Sequence, residues 1–203
     1  VELNPIVPVP STSPRATSPA YEPPQGETTV AVWAHADDDI IFANPHLAGV
    51  IASGATLRTV FVTAGDAGRG LDYALQREAG IRAAYDRMRG VTSTWETREI
   101  TLLSGARATR FVPVDDPRLS ITVLRLPDGN LNATGFPSTG GAGLTQLING
   151  TVPVLQPVDD GPTLDASRLA DTVAELIHAG SPDHVTTNIP HESAFARGDQ
   201  PDH

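Results

Sequence analysis

Thr29-Val30-Ala31-Val32-Trp33-Ala34-His35-Ala36-Asp37-Asp38-Asp39 is an apolar run that gives way abruptly to an imidazole and three acids. A short apolar run bounded by polar residues fits a buried strand. Residues 35–39 follow as a polar turn, and residues 40–52 carry a helical pattern in spite of Pro45. Strand, turn and helix in that order form the unit of an α/β fold, and the rest of the chain repeats it.

A second buried strand is expected at residues 57–63, ending in the glycine-rich residues 64–68. Residues 72–89 form an amphipathic helix with Ile81, Ala84, Tyr85 and Met88 on one face. Strands are expected at 97–103, 109–114 and 121–126, with Pro127-Asp128-Gly129-Asn130 as a turn. Residues 137–162 read as a long loop containing a short helix at 144–149. A helix at 164–179 places Leu169, Val173, Leu176 and Ile177 together and is capped by Gly180. A last strand at 184–188 leads into the loop 189–203. The alternation predicts an α/β sandwich with a mostly parallel sheet. Ligands of such sheets bind beyond the carboxyl ends of the strands. Three loops leave such ends, at 35–39, 64–70 and 189–203.

The 203 residues suffice for one domain with a core. Residues 1–27 hold seven of the eighteen prolines with Ser and Thr and no apolar periodicity, an extended segment ahead of a domain at 28–203. A start at Val1 and a stop at His203, inside a polar and site-like stretch, suggest a chain truncated at its C-terminus. Such a Pro-rich start often follows a signal peptide. The expected location is therefore secreted or cell envelope, with the cytoplasm as the alternative. A net charge of −10 argues against nucleic acid as a partner. No apolar run approaches the length of a membrane span. Cysteine is absent, so a metal would have to be held by His and carboxylate.

Three consecutive acids after a histidine crowd negative charge, which a cation relieves. His35 and Asp38, three residues apart where a strand turns into a helix, can point at one ion and need a third ligand from elsewhere. The bland alternative is that the acids cap the following helix. Of the six histidines, His191 and His203 fall in the last strand-end loop, whereas His46, His178 and His184 read as surface or structural residues. Asp202 stands beside His203, as a carboxylate that orients a metal-binding histidine would. Asn132-Ala133-Thr134 and Asn149-Gly150-Thr151 match the glycosylation sequon, a short pattern that chance also produces.

Residues 32–39 resemble the Ala-His-Pro-Asp-Asp-Glu signature of the PIG-L/LmbE-like deacetylases, with Ala36 for Pro and Asp39 for Glu. Phe61-Val62-Thr63-Ala64-Gly65-Asp66-Ala67-Gly68, Arg77-Glu78, Leu124-Arg125-Leu126-Pro127-Asp128-Gly129 and Gln200-Pro201-Asp202-His203 resemble further blocks of that family, in its order. The resemblance implies a Rossmann-like three-layer α/β/α sandwich and a zinc-dependent N-deacetylase, another divalent metal being possible. It implies His35, Asp38 and His203 as the metal ligands, Asp37 as the general base, and Arg77 and Asp66 in the substrate pocket. The substrate would be a small N-acetyl amino sugar or glycoconjugate. Gln200 stands where the family has a histidine thought to stabilise the oxyanion. An amide can hydrogen-bond an oxyanion but cannot deliver a proton. Either His191 takes over, or the metal and Asp37 suffice, or activity is reduced. The alternative is a catalytically weak or inactive carbohydrate- or metal-binding domain of the same fold. A nucleotide-binding protein is disfavoured, because the glycines at 65–70 follow the second strand and lack the dinucleotide spacing.

Overall fold

The computed structural model describes residues 26–189 and 199–203. The expected N-terminal segment lies outside the described residues except for its last two positions. Six strands form one sheet: β1 (Thr28–Trp33), β2 (Thr56–Thr63), β3 (Trp95–Thr101), β4 (Arg107–Pro113), β5 (Leu119–Leu126) and β6 (His184–Thr187). Their order is β3-β4-β5-β2-β1-β6. The pairings β6–β1, β1–β2 and β2–β5 are parallel. Only β4 runs against its neighbours, antiparallel to both β3 and β5. This is the α/β, Rossmann-like sandwich that the alternation predicts.

Side chains alternate across each strand, so the sheet feeds two cores. Ala31, Trp33, Leu57, Phe61, Ile121 and Val123 face one way, where α2 (His46–Ser53) and α3 (Leu71–Arg89) add Leu47, Val50, Ile81 and Tyr85. Val60, Val62, Leu124 and Leu126 face the other, beneath α4 (Leu144–Ile148) and α5 (Ala166–Ala179), which add Leu147, Leu169 and Leu176. Fully burying one such aliphatic or aromatic side chain contributes about 1.5–3 kcal/mol.

The helix expected at 40–52 is two helices. Asp38–Phe42 forms a short α1, and α2 starts afresh at His46. Pro45 has no N–H to continue the ladder and stands as the N-cap of α2 instead. The later helix starts at Ala166 rather than 164, because the Asp165 carboxylate accepts a bond from the Arg168 N–H at 2.8 Å and caps it. Leu164 pairs instead with Leu155 in an isolated bridge.

Candidate metal centre

The strand β1 ends at Trp33, and the chain reverses on the His35 carbonyl, which accepts from Asp37 N–H at 2.9 Å and Asp38 N–H at 3.3 Å. The three acids that follow diverge. Asp37 is the N-cap residue of α1, yet its side chain makes no capping bond. It is about half exposed and pairs with Arg77 Nη2 at 2.5 Å. Asp38 is buried and turns back, its Oδ2 accepting from His35 N–H at 2.8 Å. Asp39 enters the core, accepting from Tyr85 Oη at 2.7 Å and Ile40 N–H at 2.8 Å. Capping therefore does not account for the run of acids.

His203 comes to the same place from residues 199–203. Its Nε2 lies 3.4 Å from Asp38 Oδ2, and His35 Nδ1 lies 3.6 Å from that oxygen. Ligand atoms of His35, Asp38 and His203 all lie within 4.8 Å of one another. Bonds of about 2.0–2.2 Å to a tetrahedral zinc set ligand atoms roughly 3.4 Å apart, so the donor set fits such an ion. Nε2 of His203 is buried with no hydrogen-bond partner among the described residues, as an atom reserved for a cation would be.

Asp202 sits behind His35. Its Oδ2 accepts from Gly129 N–H at 2.7 Å and lies 3.3 Å from His35 Nε2. A Cβ at position 129 would collide with the Asp202 carboxylate, so only glycine admits it there. The bond places the Nε2 proton toward Asp202 and leaves Nδ1 toward Asp38, so a carboxylate behind the ring fixes its orientation as it does for histidines that hold metals. Burial disfavours charge on His35, but its bonds to Asp202 and Asp38, with their charges, outweigh burial and raise its pKa to about 10. Burial pushes the Asp38 carboxyl upward, yet the bonds from His35 prevail and hold it below its ordinary value. A proton thus stands where the geometry suits a metal ion. Burial raises Asp39 to about 6, with the charges of Asp38 and Asp37 adding to the effect against the bonds from Tyr85 and Ile40.

The cleft over these residues measures about 450 Å³ and is lined by Asp37, Arg77, Asp128, Phe136 and Gln200 among others. Arg77 also donates to the Gly65 carbonyl at 2.8 Å, which ties Asp37 to the loop after β2. Gln200 Oε1 accepts from Asp202 N–H at 2.5 Å.

Asp66 does not line this cleft. Its Oδ2 accepts from Gly70 N–H at 2.8 Å, folding the carboxylate back onto its own loop. It borders a separate cavity of about 540 Å³ with Ser138, Thr139 and Gln156. That bond supports the positive-φ residues Ala67, Gly68 and Gly70, while Asp66 Oδ1 is buried with no hydrogen-bond partner among the described residues. His191 lies outside the described residues.

Asp128 joins the site without having been singled out. It follows β5, accepts from Ala67 and Asn130 N–H, and groups with His35 and Asp202 within 4.8 Å. The signal was its place beyond a strand's carboxyl end, legible once β5 is known to lie parallel to β2. Asn188, just past β6, likewise bonds Ala34 N–H at 3.2 Å and reaches Asp38 Oδ2 at 3.5 Å.

A family model described as PIG-L: GlcNAc-PI de-N-acetylase matches residues 30–203, and the chain belongs to that family. No curated protein and no solved structure matches it. Membership implies deacetylase-type hydrolase chemistry, and the His and Asp cluster suits the metal dependence typical of the family.

Proposed function

We propose that this member of the de-N-acetylase family is a metal-dependent hydrolase that removes the acetyl group from an N-acetylated amino sugar or glycoconjugate. The observation that carries the reading is the convergence of His35, Asp38 and His203 within 4.8 Å beside the half-exposed Asp37 in an open cleft. His35, Asp38 and His203 would hold a divalent cation, zinc by their N and O donors. When bound, that cation supplies Lewis acidity to the amide carbonyl and to water.

The remaining work falls to the chain. Asp37 accepts the proton of the attacking water and returns it to the departing amine nitrogen, so that acetate and a free amine result. Arg77 fixes the position of the Asp37 carboxylate. Gln200, its Oε1 held by Asp202 N–H, donates its amide hydrogens toward the oxyanion. Asp128 and Phe136 offer the sugar an acceptor and an apolar face. Export to the cell envelope or beyond is part of the same reading and rests on the Pro-rich residues 1–27.

Gln200 favours a second reading, a domain that binds carbohydrate or metal without turnover, because an amide cannot replace an imidazolium as a proton donor. Acetate release from N-acetylglucosaminides by the zinc-loaded chain separates the two. Turnover is expected, and Asp37→Ala is expected to lower it by about 10²–10⁴-fold with zinc content unchanged. Wild-type turnover in that variant removes Asp37 as the base. No acetate from any acetamido sugar leaves the binding domain.

A further inference from the structure

At the opposite end of the parallel strands a second polar group assembles. Register pairs Arg58 of β2 with Ser120 of β5, and Arg110 of β4 with Thr122 of β5. All four line a cavity of about 40 Å³ beneath the end of α5 at Ala179 and Gly180. One water needs about 10–15 Å³ of such space, so the cavity has room for more than one water or for a small polyatomic ion.

Both arginines are partly buried. Arg58 Nη1 donates to the Pro117 carbonyl at 3.0 Å and Arg110 Nε to Thr122 Oγ1 at 3.2 Å. Neither forms an ion pair with a carboxylate among the described residues. Arg77, Arg89, Arg98, Arg107, Arg118 and Arg125 have one, while Arg69 and Arg82 stack on aromatic rings, Arg168 donates to the Ser104 carbonyl, and Arg87 too lacks an ion pair among the described residues. Ser120 is buried, and its hydroxyl makes no hydrogen bond among the described residues. Burial pushes both guanidinium pKa values down, and Arg110 adds to the effect on Arg58. Two like charges brought together out of water repel, and a purely structural arrangement would set an acid between them. Guanidinium forks and hydroxyls around a small cavity match the oxygens of a tetrahedral anion.

We propose that Arg58, Arg110, Ser120 and Thr122 form a binding site for a tetrahedral oxyanion, phosphate or sulfate, either free or as the terminal group of a monoester. The site lies at the opposite end of the parallel strands from the His35 cleft and operates without it. The anion bridges the two guanidinium groups and accepts from the Ser120 hydroxyl.

Thermal unfolding of the metal-loaded chain at constant ionic strength tests this. Millimolar inorganic phosphate is expected to raise Tm by about 3 °C over chloride. Arg58→Gln and Arg110→Gln lose that shift and keep acetate release at the wild-type rate. Ser120→Asp places a carboxylate between the arginines, so it raises Tm without phosphate and abolishes the response to it. Glucose 6-phosphate as a second probe decides the source: a shift like that of phosphate admits monoesters, and none restricts the site to the free ion. The proposal is overturned if phosphate acts no differently from chloride. An undiminished shift in both arginine variants overturns it too, since the effect then reflects the His35 cleft or an adventitious ion only. Because acetate release is read separately, failure of the hydrolase reading leaves this test intact.

Discussion

Two clusters of buried charge stand near the carboxyl end of β5, and they are built on opposite plans. In the first, Arg125 meets Glu78 through two bonds of 2.6 and 2.9 Å and Asp159 through a third of 3.0 Å. Its guanidinium is bidentate on one carboxylate and satisfied by a second, with Arg125 and Glu78 buried and Asp159 half-buried. In the second, around His35, the acids Asp37, Asp38, Asp128, Asp199 and Asp202 outnumber the bases, and His203 Nε2 and Asp202 Oδ1 are buried without hydrogen-bond partners among the described residues. A closed network holds shape. An open one with surplus negative charge keeps capacity for a cation.

The largest expected effect tests the closed cluster. Arg125→Met leaves the buried Glu78 without its cation and Asp159 with only its longer contact to Arg107, and stability should fall by about 3–5 kcal/mol in denaturant titration. Zinc bound per folded molecule should stay at the wild-type value. Loss of zinc with little loss of stability would reverse the roles assigned to the two clusters. Asp202→Asn sharpens the other side. It removes the carboxylate that orients His35, so zinc affinity corrected for proton competition should fall about 10- to 100-fold, while Tm of the metal-free chain changes far less than in Arg125→Met. An unchanged affinity means that His35 is oriented by Asp38 alone.

The smallest effect is a slope. With His35 raised to about 10, a proton competes with the metal at neutral pH, so apparent zinc affinity should rise about tenfold per pH unit up to that value. The sign for the metal-free fold is the reverse. A raised histidine stabilises fully below its unfolded value of 6.5, and that stability is lost as pH climbs through about 10. Calorimetric titration in buffers of different ionisation heat should detect about one proton released per zinc at pH 7. No proton release would mean that the ion binds without displacing the His35 proton.

Much of this was legible in the chain itself. The break from Ala34 to His35 marks the end of β1, and the acids after it mark the site, because both are local patterns. The two halves of the helix at 40–52 were obscured because apolar periodicity continues across Pro45 and only the backbone shows the restart. The bond that turns Asp66 toward Gly70, four residues away, is not something a glycine-rich motif displays. The relevance of Asp128 depends on β5 lying beside β2, a neighbour order that tertiary packing chooses and local propensity does not. The insertion at 137–162 proved to carry α4 as expected, and it also walls off the cavity that Asp66 borders.

Gly129, by having no side chain, lets Asp202 dock against a turn that follows β5 and reach His35 across 167 residues of sequence. That separation sets an order of events. His35 and Asp38 are synthesised before His203, and the strands between them must be in register before His203 reaches them. Closing so long a loop is slow and entropically costly, so these last contacts form late. A cation held by these residues, as proposed above, would then be captured only after the sheet has formed.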